Sequence, residues 1–383
     1  MSPKAPHGSS LRSFVPEQLN TLIDGFTRRG YEVIGPTVRD GAIVYDQICS
    51  AEDLPEGWGD EQQAGKYQLK KRSDTVLFGY SVGPHSWKKF LFPSICCAWT
   101  AQRVDGHFQV ASAEFDATKR AFIGVRACEL HALAIQDKVF LEGAYVDSSY
   151  KARRQNAVIV AVNCTQAGGT CFCESMGSGP RVSSGYDILL TEIFVGGEHL
   201  FLADSATAIG KELLAELSTQ PASSEMNAAA STAVENAVNH MGRMLATSGL
   251  KELLYRNVEN PRWDALAERC LSCANCTLVC PTCFCSTIED CTDLAGQRAE
   301  RIRKWDSCFT TDFSYLHGGS VRATPRSKFR QWMMHKLAYW NDQFGSFGCT
   351  GCGRCITWCP VGIDITEEVR AIRDSEATAS ISL

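Results

Sequence analysis

The sequence predicts an α+β protein with an N-terminal α/β domain, a helical connector and a C-terminal, mainly α-helical domain that carries a long insertion. Short apolar runs alternate with a helical pattern in the first half of the chain, and an Ala- and Ser-rich stretch follows them. Most of the 19 cysteines lie between Cys270 and Cys359, which sets the last third of the chain apart. We expect domains at residues 1–205, 206–266 and 267–372, with a flexible tail over 373–383.

The composition excludes several classes of protein. A chain of 383 residues can form two or three domains, and 44% hydrophobic with 21% charged residues is typical of globular proteins. A formal net charge of −5 argues against a nucleic-acid-binding protein, which usually has a basic surface. No apolar run reaches the ~20 residues of a membrane helix, and the N-terminal "MSPKAPHGSS" lacks the apolar segment of a secretory signal. These features predict a cytoplasmic protein without a membrane span.

In the first domain, buried strands are predicted for two apolar runs, "AFIGVRA" at 121–127 and "AVIVAVN" at 157–163. Between them, "ELHALAIQDKVFL" at 129–141 has the apolar spacing of a helix. Strand, helix and strand in this order indicate an α/β unit. Upstream, "YEVIGPTVRDGAIVYDQI" at 31–48 predicts short strands that Gly-Pro and Asp-Gly turns interrupt.

The connector is predicted from its composition. The stretch "STQPASSEMNAAAST" at 218–232 is rich in Ala and Ser, which predicts a flexible or weakly helical link. After it, apolar residues recur at helical spacing up to Gly249, where that helix is expected to end. We interpret this apolar stripe as core packing; it consists of Val234, Val238, Met241 and Leu245.

The third domain contains two copies of the spacing C-x2-C-x2-C-x3-C, each followed by a proline. This is the pattern of two-cluster bacterial ferredoxins. Two-residue gaps let three thiolates surround one cluster, while the fourth cysteine points away to the other cluster. The sequence therefore predicts two 4Fe-4S clusters with crossed ligands. The first set is Cys270, Cys273, Cys276 and Cys359, and the second is Cys349, Cys352, Cys355 and Cys280.

Zinc sites and disulfides are the alternatives to clusters. Zinc ribbons also use C-x2-C pairs, but they need neither a third cysteine nor the trailing C-x3-C-P. A disulfide framework is typical of small secreted proteins, and an odd number of cysteines does not suit it. Clusters are therefore the favoured interpretation. The 68 residues between Cys280 and Cys349 exceed the spacing of a minimal ferredoxin and form the predicted insertion.

Three further thiols belong to this insertion. Cys283 and Cys285 follow Cys280 in "CPTCFC", and Cys308 lies in "WDSCF". Either the three thiols share a small metal site, or they are buried, unreactive side chains that pack like small hydrophobic residues. Nothing in the setting of Cys291 marks it as a ligand.

The N-terminal domain has a cysteine tetrad of its own. Cys164 directly follows one predicted strand, Cys128 is expected to end the neighbouring "GVRAC" strand, and the other two members lie in "GGTCFC", where Gly168 and Gly169 allow close backbone approach. Four converging cysteines give the ligand set of a third 4Fe-4S cluster, whereas a zinc site or reduced thiols are the alternatives. The tetrad is Cys128, Cys164, Cys171 and Cys173.

Five stretches make the chain resemble the beta subunit of cytosolic nickel–iron hydrogenases, also called the sulfhydrogenase beta subunit. The resemblance extends from about Leu19 to Arg370, and the chain is also similar to the iron–sulfur A subunit of anaerobic sulfite reductase. The "NCTQAGGTCFC" and "PTCFC…WDSC" stretches are the more diagnostic ones. The five are "GPHSWKKFLFP", "GVRACELHALAIQDKVFLEG", "NCTQAGGTCFCESMGSGP", "WDSCFTTDFSYLHGGSVR" and "GCGRCITWCPVGIDITEEV".

The resemblance implies an electron-transfer subunit without catalytic residues of its own. Such a subunit passes electrons between a flavin- and NAD(P)-binding subunit and the small and large subunits of the hydrogenase. The sequence agrees, because it has no GxGxxG between a strand and a helix and no cysteine pairs near both ends for a nickel site. Two alternatives stay open: the same role in an anaerobic sulfite or sulfur reductase, and a zinc-stabilised scaffold with no redox role.

Overall fold

The computed structural model describes residues 11–81, 83–112 and 115–381. The first ten residues, from which the lack of a secretory signal was argued, lie outside this part of the chain. No helix within the described ranges is long and apolar enough to cross a bilayer.

The strands are β1 (Arg12–Phe14), β2 (Glu32–Arg39), β3 (Ala42–Gln47), β4 (Trp58–Gln63), β5 (Lys66–Lys71), β6 (Ile95–Val104), β7 (His107–Ser112), β8 (Arg120–Val125), β9 (Ala157–Val162), β10 (Ile188–Val195), β11 (Glu198–Ser205), β12 (Gln220–Pro221), β13 (Ser286–Thr292), β14 (Arg298–Trp305), β15 (Tyr315–Leu316) and β16 (Gly319–Ser320). The helices are α1 (Gln18–Arg28), α2 (Lys88–Leu91), α3 (Ala127–Leu141), α4 (Ser148–Gln155), α5 (Ala208–Ala215), α6 (Ser224–Asn239), α7 (Leu250–Arg256), α8 (Arg262–Arg269), α9 (Asn275–Leu278), α10 (Pro325–Met334), α11 (Trp340–Phe344), α12 (Arg354–Thr357) and α13 (Ile365–Ile381). A 3₁₀ turn covers Ala51–Asp53, and a π-helical segment covers His335–Tyr339.

The first half of the chain forms an eight-stranded sheet in the order β12-β1-β11-β10-β9-β8-β2-β3. Its centre is parallel, because β2 pairs with β8, β8 with β9 and β9 with β10 in the same direction. The predicted strand–helix–strand unit is β8, α3 and β9. Both strands are buried almost throughout, as expected for the centre of a parallel sheet. Together with the helices described below, this sheet confirms the predicted α+β class.

The sequence prediction of interrupted strands was wrong at one turn. Gly35 and Pro36 lie inside β2 and pair in register with Asp46 and Tyr45 of β3. Pairing of β2 with β8 has already ended at Ile34, so the missing N–H of the proline costs no hydrogen bond to β8. The predicted Asp-Gly turn is the one that separates β2 from β3.

The connector is mainly helical. Helix α6 begins after Ser223, whose hydroxyl caps the Met226 N–H, and it covers most of the Ala- and Ser-rich stretch. At the end of the chain, α13 extends to Ile381. Most of the segment that was predicted to be a flexible tail is therefore helical.

The insertion joins the first half of the chain through a second sheet, in the order β13-β14-β6-β7. Strand β14 of the insertion pairs antiparallel with β6, from Arg298 opposite Gln102 to Lys304 opposite Ile95. Helix α10, the π-helical segment and α11 then lead the chain to the second cysteine motif. The insertion is thus part of a sheet that both halves of the chain build.

A buried ion pair also connects the two halves. Arg354 at the start of α12 donates to Glu129 of α3 over 2.6 Å, and both side chains are at most 1% exposed. The same guanidinium donates to the carbonyls of Gly83 and His85. Glu129 also accepts hydrogen bonds from Tyr45 Oη and Trp87 Nε1.

Candidate iron–sulfur sites

The first predicted ligand set lines one cavity. The loop between α8 and α9 brings two of the thiols, α9 itself brings the third, and the fourth lies just after α12. Ser272 and Ala274 adopt positive φ angles of 51° and 67°, which turn this loop around the cavity. The remaining lining is mostly apolar and includes Phe309, Trp332 and Ile363. The cavity is lined by the predicted Cys270, Cys273, Cys276 and Cys359 and also by Cys355, which belongs to the second predicted set.

The second set is also brought together. Burial raises the pKa of Cys355, and the neighbouring thiols of Cys349, Cys352 and Cys280 raise it further. Burial likewise raises the pKa of Cys349 to about 12. Buried thiols of this kind ionise only when a positively charged group compensates them, and metal ligation needs the thiolate. Their environment therefore fits iron as the compensating charge.

Two buried lysines lie beside this second set. Lys336 Nζ, on the π-helical segment, donates to Thr282 Oγ1 over 2.8 Å, and Thr282 Oγ1 lies 3.2 Å from Cys280 Sγ. Lys88 Nζ donates to the carbonyls of Cys280 and Cys283 over 3.0 and 3.2 Å. Burial alone would lower the pKa of Lys336, but the electrostatic effect of the neighbouring cysteines, Cys280 first, outweighs burial and raises that pKa.

The N-terminal tetrad lines a separate cavity, together with Tyr80, Arg126 and Met241. One expectation was wrong: Cys128 does not end strand β8 but lies in the first turn of α3. Cys164 follows β9 directly, as predicted. Cys171 and Cys173 come from the loop after Gly169, and burial raises the pKa of Cys171 to about 12.

A buried guanidinium faces this tetrad. Arg126 is 1% exposed and donates to the carbonyls of Asn163, Phe78 and Tyr80, while its Nε has no hydrogen-bond partner among the described residues. Burial raises the pKa of Cys164, and the adjacent Arg126 opposes this rise. A buried cation with a free N–H beside four thiols fits an anionic group in the cavity.

The N-terminal tetrad and the second set are neighbours. Cys352 packs against Cys128 and Cys173, and the carbonyl of Cys352 lies 3.9 Å from Cys171 Sγ. The Phe172 N–H donates to the Gly351 carbonyl over 2.8 Å. The loop of one site therefore packs directly on the loop of the other.

The thiols of the insertion fall into pairs. Cys283 hydrogen-bonds Cys280, which lowers the pKa of Cys280 and raises that of Cys283. Cys285 hydrogen-bonds Cys308, and this bond lowers the pKa of Cys285 to about 7. Cys291 is exposed on β13.

Within residues 11–81, 83–112 and 115–381, no three Cys, His, Asp or Glu side chains converge tightly enough to hold one metal ion. A zinc ion would require four sulfur atoms at about 2.3 Å from a single centre. A group of four irons and four sulfides is wider, so its ligands stand further apart.

Comparisons with known proteins agree with this chemistry. A family model described as "4Fe-4S dicluster domain" matches residues 269–363. The sulfhydrogenase 2 subunit beta of Pyrococcus furiosus is 33% identical over 258 residues, which are 66% of this chain and 74% of that subunit. The chain belongs to the sulfhydrogenase beta subunit family. No solved structure matches it. As a member of that family with a 4Fe-4S dicluster domain, the chain is an iron–sulfur electron-transfer subunit.

The buried arginine and lysine side chains beside the thiols of this sulfhydrogenase beta subunit homologue were not predicted from its sequence. Arg126, Lys88, Lys336 and Arg354 are each less than 5% exposed. Arg126 stands between "GV" and "ACEL", and Lys88 begins a short helix, so neither stands out in the sequence. A basic residue among apolar neighbours was the available signal, as at Lys336 in "WMMHKLAYW".

Proposed function

We propose that the chain holds three 4Fe-4S clusters and relays electrons between a flavin- and NAD(P)-binding subunit and the small and large subunits of a nickel–iron hydrogenase in the cytoplasm. When bound, the clusters supply one-electron transfer. The proposed ligands are Cys270, Cys273, Cys276 and Cys359 for the first, Cys349, Cys352, Cys355 and Cys280 for the second, and Cys128, Cys164, Cys171 and Cys173 for the third.

The observation that carries this proposal is the contact between the sites. The third set touches the second through Cys352, and the second adjoins the first because Cys276 is an electrostatic neighbour of Cys355 and Cys280. The chain's own residues hold the thiols, exclude water and compensate charge through Arg126 and Lys336. Sites that adjoin one another in this way suit an electron relay through the subunit.

Iron content tests the proposal. Two clusters account for about eight irons per chain and three for about twelve. We expect about twelve after anaerobic purification, falling by about four in Cys171→Ser. The matched control is Cys49→Ser, because Cys49 is exposed and lies in none of the ligand sets. About eight irons and one equivalent of zinc per chain would mean that the N-terminal tetrad binds a structural zinc ion instead of a cluster. Zinc alone would establish the scaffold alternative.

The second candidate is the corresponding subunit of an anaerobic sulfite or sulfur reductase. The paired thiols of the insertion favour it, because a plain electron relay does not require them. Co-purification with mass spectrometry separates the two. Nickel–iron hydrogenase subunits in the complex support the leading proposal, whereas a sulfite or sulfur reductase catalytic subunit supports the second.

A further inference from the structure

Cys285 and Cys308 lie side by side at the base of the insertion hairpin. Ser286, the first residue of β13, pairs with Trp305, the last residue of β14. Just beyond this pair, the Asp306 N–H donates to the Cys285 carbonyl over 2.9 Å. The Cys308 side chain and backbone N–H are close enough to the Cys285 sulfur to lower the pKa of that thiol. Strands β13 and β14 therefore remain paired to the open end of the hairpin, and this pairing holds the two cysteines beyond it close together.

The third thiol of the insertion, that of Cys283, interacts with a different cysteine and not with this pair. Cys283 hydrogen-bonds Cys280, which belongs to the proposed second ligand set. Among the described residues, no three Cys, His, Asp or Glu side chains converge on one ion, and this includes Cys283, Cys285 and Cys308. Cys285 and Cys308 remain as two free, partly exposed thiols in mutual contact.

Cations surround the pair. Lys88 Nζ lies 4.0 Å from the centre of the Trp305 ring at the base of the hairpin, and Lys336 is close enough to influence both thiols of the pair. The two lysines are 3% and 4% exposed, and their ammonium groups donate to backbone carbonyls and to the Thr282 hydroxyl. Buried ammonium groups beside a thiol favour its thiolate, which is the form that attacks another sulfur.

We propose that Cys285 and Cys308 form a dithiol–disulfide couple beside the second cluster site. Oxidation forms one S–S bond, and the two thiols release two protons to solvent. A cluster bound at the second site would accept the two electrons singly and pass each along the relay. Reduction runs in reverse and restores both thiols. The couple would store two electrons next to a one-electron relay. This proposal rests on the proposed function, because the clusters supply and accept the electrons.

The test uses the anaerobically purified complex, poised in thiol redox buffers from reducing to oxidising and then alkylated. Trypsin cleaves at Arg298 and Lys304, so a bond between Cys285 and Cys308 appears as two cross-linked peptides in mass spectrometry. We expect the cross-link under oxidising conditions and two alkylated thiols under reducing ones. Cys308→Ala should abolish the cross-link without changing the iron content. Cys291→Ala, on the same hairpin but exposed, should leave both unchanged.

Two outcomes would overturn the couple. The first is two free thiols at every potential. The second is a loss of iron or zinc in Cys285→Ala or Cys308→Ala, which would make these residues metal ligands. Failure of the proposed function would give a different result, because the wild-type complex would then lack iron. The disulfide cross-link formed in redox buffer is measured by mass spectrometry and does not depend on the iron content.

Discussion

Lys336 shows how one side chain can influence a cluster site without being a ligand. Its ammonium group reaches Thr282 Oγ1, and that oxygen contacts the sulfur of Cys280. The group also lies 3.4 Å from the carbonyl of Gly348, directly before the second cysteine motif. A positive charge at this place stabilises whichever state of the site carries more negative charge, and reduction adds negative charge.

We therefore expect Lys336→Met to lower the midpoint potential of the second cluster by roughly 60 mV, which corresponds to a tenfold change in a one-electron equilibrium. Lys336→Arg keeps the charge and should restore most of the potential. A redox titration followed by electron paramagnetic resonance measures both. The control is Lys251→Met, because Lys251 is paired with Asp342 on the surface. An unchanged potential in Lys336→Met with intact iron would contradict the prediction.

A second prediction at this scale concerns the crossed ligand. Cys359 follows three cysteines of the second motif in sequence, but in space it lines the cavity of Cys270, Cys273 and Cys276. Cys359→Ser should therefore perturb the spectrum of the first cluster and leave the second nearly intact. Mössbauer or electron paramagnetic resonance spectra of the variant decide this. Damage confined to the cluster of Cys349, Cys352 and Cys355 would refute the crossing.

At the scale of elements, the contact between the second and third sites depends on two glycines. Gly351 has a φ of +64°, and a Cβ there would lie 2.6 Å from the Phe172 backbone. Gly353 has a φ of +76°, and its Cβ would lie 2.5 Å from Thr170 Oγ1. The backbone of the second motif can approach the N-terminal thiol loop only because neither residue has a side chain.

Gly351→Ala should consequently separate the two loops. We expect a fall in melting temperature together with loss of iron from the second and third sites. Gly345→Ala is the matched control, because Gly345 has a similar φ of +68° but open space around it. It should show only the strain of the left-handed backbone, about 1–2 kcal/mol. Equal effects of the two substitutions would mean that the contact is unimportant.

The elements also show what a sequence reveals. Strands β8 and β9 were predictable because central parallel strands are apolar on both faces. The 4Fe-4S dicluster domain was predictable because the spacing of its cysteine motifs is local. The pairing of β6 with β14 was not predictable from the sequence. It joins segments about 200 residues apart, and no sequence pattern marks the two strands as partners. The buried lysines were missed for a similar reason: their hydrogen-bond partners are backbone carbonyls and the Thr282 hydroxyl, which lie in loops distant in sequence.

At the scale of the whole molecule, the ion pair between Arg354 and Glu129 ties the C-terminal motif to the first sheet. Removing one partner leaves a charge buried without compensation. Arg354→Met should therefore destabilise the protein by about 3–5 kcal/mol. Arg256→Met is the control, because its pair with Glu376 is exposed and should contribute little. Denaturant titration of both variants measures the difference, and equal midpoints would contradict the prediction.

The pairing of β6 with β14 also constrains the order of events at the ribosome. Gln102 emerges long before its partner Arg298, so the second sheet cannot close until most of the chain has been synthesised. The N-terminal thiols meanwhile lack the loop around Cys352 that later packs against them. Open thiols of this kind are vulnerable to oxidation. Iron loading of the N-terminal site should thus be a late step, and chains truncated before β14 should accumulate oxidised cysteines instead of iron.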